Sequence, residues 1–290
     1  MITRRMMMAA SSATVLLGRQ AWAQAPVAAS KDTDWLHYAN DLASTRYSPL
    51  DQIDASNFNK LEPAWRFSTN ALGPRLDADY QSTPVMAKGR LYCTAGFRRD
   101  VVCLDAGTGE LLWMHRSEEG ERIGTRGGPG LGCSYWTDGT AERIIYVTRG
   151  YAMFSLDAAT GLPDPAFGVG GMVDLRKDND QEIDPVRGVI GLHAAPLVVN
   201  NTIVVGAAPT AYAKGYVRGF DARTGKRKWI FHTIPKKGEF GYDTWITPGQ
   251  AEQNGNTGSW APMSADTDLG LLYIGVELPP TDMLGVGRQG

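Results

Sequence analysis

The sequence predicts an all-β fold, a partial β-propeller of about four blades, and three observations carry that reading. A short phrase recurs as Asp105-Ala-Gly-Thr-Gly-Glu-Leu-Leu-Trp113, Asp157-Ala-Ala-Thr-Gly161 and Asp221-Ala-Arg-Thr-Gly-Lys-Arg-Lys-Trp229. Each copy follows a run rich in β-branched and aromatic residues, so the repeating unit is strand, turn, strand. The 290 residues include 34 Gly and 8 Trp, which suits many turns and large packing anchors, and no amphipathic helix of ordinary length stands out.

The phrase has a mechanical reading. Asp ends one strand, and its carboxylate accepts from the N–H groups of the turn. Gly supplies the positive φ of a tight hairpin. Trp opens the next strand and offers a wide face to a neighbouring blade. The middle copy is degraded, with Phe167 in place of Trp.

In chain order, residues 1–23 read as an export signal. Arg4-Arg5 precede an apolar stretch from Met6 to Leu17, and Ala21-Trp22-Ala23 fits a cleavage site. The apolar stretch is too short to span a bilayer as a helix. A periplasmic location is therefore expected, with 24–33 as a leader and 34–290 as an incomplete propeller. Asn57 to Leu61 reads as a short helical turn and Glu62 to Thr69 as the first clear strand. Thr83–Ala87 should pair with Arg90–Thr94 across Lys88-Gly89, with Val101–Leu104 and Leu111–Arg116 completing the blade. A second series runs 133–136, 143–148 and 151–156. The third runs 194–199, 202–206, 216–220 and 229–232, and a fourth begins at 260–264 and 271–275. Polar insertions at 117–130, 168–190 and 235–259 are the expected carriers of function. Three blades and the start of a fourth do not close a ring. The expectation is part of something longer, a half completed by a partner chain, or a truncated product.

A net charge of −2, with no basic run beyond Lys226-Arg-Lys228 and Lys236-Lys237, argues against nucleic acid as a partner. Cys93, Cys103 and Cys133 show no zinc-ligand spacing. Cys93 and Cys103 flank a hairpin turn at 97–100. Two readings are open: a disulfide across it, or two small buried hydrophobes on adjacent strands.

Several phrases resemble the quinoprotein dehydrogenases that use pyrroloquinoline quinone (PQQ). They are Asp34-Trp-Leu-His-Tyr-Ala-Asn40 with Arg46-Tyr-Ser-Pro-Leu-Asp-Gln-Ile53, then Ala64–Thr69, Ser82–Pro84, Ser134–Trp136, Phe231–Pro235, Gly238–Trp245 and Trp260–Asp266, all in family order. The resemblance covers the chain after residue 33. It implies the N-terminal half of an eight-bladed propeller with PQQ near its axis, in the glucose, quinate and polyol branch. The chemistry implied is oxidation of an alcohol or sugar hydroxyl. A Ca²⁺-type ion polarises the quinone, and electrons pass on to a quinone or cytochrome.

Residue by residue, the resemblance makes Trp260 the indole stacked under the quinone. Gln81 stands where the family often has Glu, and His193 where a ligand of a cofactor carboxylate is expected. Leu131 replaces the arginine that pairs with such a carboxylate, leaving Arg126 as the nearby substitute. The metal-binding Glu position falls at Thr210 and the next ligand near Leu278, so Glu277 is the candidate metal ligand. No acid in 34–290 matches the catalytic base, and little activity is expected from these residues alone. Competing readings are a non-catalytic propeller scaffold for partner proteins and a truncated remnant.

Overall fold

The computed structural model describes residues 34–73, 80–118, 130–184, 189–210 and 212–280. The export signal and leader (1–33) and the candidate Arg126 lie outside the described residues. Three four-stranded antiparallel sheets follow one another along the chain. The first comprises β1 (Val85–Ala87), β2 (Arg90–Ala95), β3 (Asp100–Asp105) and β4 (Leu111–His115). The second comprises β5 (Ser134–Thr137), β6 (Glu142–Val147), β7 (Ala152–Asp157) and β8 (Met172–Asp174). The third comprises β10 (Leu197–Val199), β11 (Thr202–Val205), β13 (Val217–Asp221) and β14 (Arg227–Phe231). A short ladder joins β9 (Ile190–Gly191) to β12 (Ala208–Pro209), and β15 (Ser264–Asp266) with β16 (Leu271–Tyr273) begins a fourth sheet.

The core lies between sheets, because strands buried on both faces send alternate residues to opposite neighbours. Ile144 and Tyr146 of β6 join Val85, Tyr92 and Cys103 of the first blade. Ile145 and Val147 of the same strand join Val198, Ile203 and Val205 of the third. Met263, Ala265 and Leu272 close on Leu197 and Val204. The inner strand β5 touches both β1 and β10, so the blades fan from one axis.

At the end of the blades where β3, β7 and β13 finish, the three phrases fold alike. Asp105 Oδ1 accepts from the Thr108 N–H at 2.8 Å, Asp157 Oδ1 from Thr160 at 2.9 Å and Asp221 Oδ1 from Thr224 at 2.9 Å. Each threonine hydroxyl bonds the same oxygen. Gly109, Gly161 and Gly225 adopt φ of 72, 72 and 70°. The indole of Trp113 lies flat on the next blade's turn: its Nε1–H donates to Ala158 O at 3.1 Å. A Cβ on Gly161 would stand 2.4 Å from the ring.

Trp65 does the same to the first turn, donating to Ala106 O at 3.1 Å over Gly109. This corrects the expectation of a strand at 62–69. That segment is without ladder pairing, and its tryptophan docks on a turn instead. Phe167, fully buried, takes the tryptophan's place against Gly225. The polar insertion 168–190 also contains a strand the sequence did not announce, β8. The loop after β8 wraps the fully buried Arg218, whose guanidinium donates to the carbonyls of Leu175 and Lys177.

The cysteine question is settled by register. Cys93 faces Val102, and Cys103 faces Tyr92. The two thiols are one residue out of step and point to opposite faces of the sheet. All three cysteines are free and buried.

Candidate functional site

The heads of the inner strands gather at the opposite end of the blades. Gln81–Pro84 leads into β1, residues 130–133 into β5, His193–Pro196 into β10 and Ser259–Pro262 into β15. Three of these leads carry a proline at the strand's edge, where a missing N–H costs no ladder bond. Backbone bonds stitch the leads together. Thr83 N–H donates to Leu131 O at 3.0 Å, and Leu131 N–H to His193 O at 2.8 Å. The Ser134 hydroxyl donates to Pro196 O. Gly132, at φ 129°, lets the backbones close: a Cβ there would stand 2.7 Å from Thr83 O. The sequence-predicted residues Gln81 (exposed) and His193 (half-buried) therefore share one mouth with Leu131.

Beneath that mouth lies a cation that sequence reasoning passed over as part of a turn. Arg99, 4% exposed and at φ 62°, sends Nη1–H bonds to Val147 O at 3.1 Å and Leu192 O at 2.6 Å. It ties the first three blades together under Gly130, whose absent Cβ would lie 2.9 Å from Arg99 Nε. At the turn after β6, the Arg149 guanidinium lies 4.4 Å from the Phe97 ring centroid. The sequence signal for both arginines was weak: each sits in a loop between second and third strands, with no motif around it.

Trp260 stands at the head of the fourth inner strand with 46% of its surface exposed. Its approach is built from close backbone contact. Asn256 and Thr257 adopt φ of 57 and 52°, the second a rare state for a β-branched residue. Glycines make the fit possible. A Cβ on Gly206 would lie 2.0 Å from Ser259 O, one on Gly215 2.2 Å from Gly258 Cα, and one on Gly258 2.4 Å from Ala207 O. Glu277 N–H also donates to Gly258 O at 2.8 Å, and Asn256 Nδ2–H to Leu278 O at 2.8 Å. The candidate metal ligand Glu277 thus lies against the segment that carries the indole.

Residues 35–290 match the family described as PQQ: glucose/ethanol/alcohol dehydrogenase, beta-propeller domain. The chain belongs to this PQQ-dependent dehydrogenase propeller family. Among relatives of this quinoprotein propeller, the quinohemoprotein alcohol dehydrogenase ADH-IIG of Pseudomonas putida is 31% identical over 86% of the chain and 34% of that protein. The quinate/shikimate dehydrogenase (quinone) of Acinetobacter baylyi is 28% identical over 90% of the chain and 34% of that protein. The solved structure of the ADHIIG enzyme superposes with a TM-score of 0.68 at 28% identity, covering 85% of the chain and 34% of that chain. The chain spans about a third of the length of the curated relatives it matches.

How well do the residues present suit the cofactor of this quinoprotein propeller? A half-exposed indole at the mouth suits a flat ring system. The charged groups suit it less. Leu131 offers its backbone and no cation, and the buried Arg99 is bonded to carbonyls. Thr210 uses its N–H on Val189 O at 2.8 Å and brings no carboxylate. Among the described residues no group of three or more His, Cys, Asp or Glu side chains is placed to hold a metal ion. The residues fit the ring and do not fit a hard cation, so no step is routed through one.

Proposed function

We propose that these residues form one side of a periplasmic PQQ-dependent dehydrogenase that oxidises a hydroxyl of an alcohol, polyol, sugar or quinate-like substrate. One observation carries the reading: the half-exposed Trp260 indole heads an inner strand at the mouth of this family's propeller. PQQ, if held at this mouth, would supply an acceptor for the two electrons and two protons that leave the hydroxyl-bearing group. On this side, Trp260 supports the ring from one face, and Gln81 and His193 offer polar groups to its edge. Arg99 contributes positive charge beneath the mouth, where anionic carboxylates would sit. The bonded row Thr83, Leu131, His193 keeps those groups in fixed relation. Export is supported by Arg4-Arg5, the apolar stretch and Ala21-Trp22-Ala23. Electrons leave to a quinone or cytochrome.

Turnover in this reading requires further blades, from a continuation or a partner chain. Among the described residues, three full sheets and a strand pair leave a flank open. Trp229, the counterpart of Trp113, stays 38% exposed, with no following turn among the described residues to receive it.

The test is a PQQ titration of the purified chain, alone and with the remaining blades of a relative supplied in trans. Dye reduction is then followed with glucose, quinate, glycerol and ethanol. Binding should appear in the complemented sample and be weakened by about tenfold or more, though still measurable, in Trp260→Ala. Dye reduction should stay at background for the chain alone. Robust turnover by the chain alone removes the need for further blades; no PQQ binding in either sample removes the cofactor assignment.

A further inference from the structure

We propose that Gly258 and Glu277 are positioning residues for the Trp260 indole, setting its height at the mouth; the inference rests on the reading that this indole supports the quinone.

The segment from Asn256 to Trp260 passes through a slot with no spare room. On one side stand Ala207 and Pro209 of the third blade: a Cβ on Gly258 would lie 2.4 Å from Ala207 O and 2.7 Å from a Pro209 ring carbon. Glu277 crowds that same Cβ position, its Oε2 3.3 Å away, while its N–H holds Gly258 O at 2.8 Å. Gly215 packs on Gly258 itself, and Gly206 on Ser259. A residue with any side chain at 258 must push the strand head away from the third blade, and Trp260 is two residues on.

The backbone is also held away from its relaxed form. Asn256 and Thr257 both sit at positive φ. Left-handed β-branched residues persist only where surrounding contacts over-determine them. Here the contacts are Asn256 N–H to Ala213 O at 2.8 Å, Gly215 N–H to Asn256 O at 2.8 Å, and Asn256 Nδ2–H to Leu278 O at 2.8 Å. These three restraints come from neighbouring elements, and the residue the segment delivers is a large aromatic left half exposed. Burial does not reward that indole for its place, so the slot fixes where it stands.

The experiment labels the full chain with 5-fluorotryptophan and records ¹⁹F spectra without added cofactor. The line missing in Trp260→Phe identifies residue 260. Gly258→Ala should shift or broaden that line and leave those of Trp65 and Trp113 in place. Glu277→Ala keeps the N–H bond to Gly258 O and removes only the carboxylate beside Gly258, so it relaxes the slot without threatening the fold, and should move the line as well. PQQ affinity is then measured in the sample where the parent chain binds. Gly258→Ala should weaken it by about tenfold or more, and should cost nothing further in a Trp260→Ala background. An unmoved 260 line in both variants, or losses that multiply in the double variant, overturns the inference and leaves the PQQ reading standing. Absence of PQQ binding by the parent in every sample overturns both.

Discussion

The two ends of the blades obey different rules. At the turn end, three sheets repeat one device: an aspartate, a threonine and a left-handed glycine, with an aromatic ring from the preceding stretch of chain (Trp65, Trp113 or Phe167) against the glycine. At the mouth, the four strand heads present four unlike sets, with Gln81, Leu131, His193 and Trp260 among them. The repeated end is one solution to one packing problem. The varied end shares a backbone scheme, the row of bonds through Thr83, Leu131 and His193, and spends its side chains on something other than packing.

The comparison breaks most readily through stability measurements. The largest effect is expected for Trp113→Ala, which uncovers the Gly161 turn and deletes a bond to Ala158 O. A loss of about 3 kcal/mol is expected, read as a fall in Tm of roughly 10 °C. The matching deletion at the mouth, Trp260→Ala, should cost less than about 1 kcal/mol, because the indole is half exposed. Equal losses would show that the mouth is held by packing after all.

Asp221→Ala comes next, at about 1 kcal/mol for three bonds to one oxygen at the rim of the fold. Acid sharpens the same point more gently. At Asp105 the Thr108 N–H and hydroxyl hold the carboxyl below its ordinary 3.8. At Asp221 burial works upward and is outweighed by the N–H and hydroxyl of Thr224, again leaving the group below 3.8. The unfolded chain takes up these protons near 3.8, while the folded turns resist until lower pH. The stabilisation is therefore present above 3.8 and is lost as pH falls below it toward the turns' own values. A scan of Tm from pH 5 to 2.5 should fall less steeply in Asp221→Asn than in the parent.

The turn end was legible because its information is local. Asp, Thr and Gly at fixed offsets dictate the hairpin wherever they occur, and even the degraded copy kept an aromatic residue, Phe167, to fill the vacancy. Segment 62–69 was misread because strand propensity says nothing about whether a partner lies alongside; Trp65 revealed its true task only once the Gly109 turn was in view. Cys93 and Cys103 looked poised to join because they flank a turn, yet a single step of register separates them. At the mouth, Trp260 could be picked out by resemblance, but its slot could not. Positive φ at Thr257 runs against that residue's preference, and the bonds that hold its neighbour Asn256 come from Ala213, Gly215 and Leu278, none of them near it in sequence. Arg99 was hidden for the same reason: what makes it notable is the pair of carbonyls, of Val147 and Leu192, that the second and third blades bring to it.

The buried thiols carry a practical consequence. Burial, which dominates at all three, pushes Cys93 upward, Cys103 up to about 12 and Cys133 well above its ordinary value, so none is a ready nucleophile in the folded chain. Cys93 lies on the outer flank of the first sheet, while Cys103 and Cys133 lie in the seam between the first and second. A sulfhydryl dye would therefore act as a stopwatch for sheet separation, its staining rate at each position timing how often that seam parts.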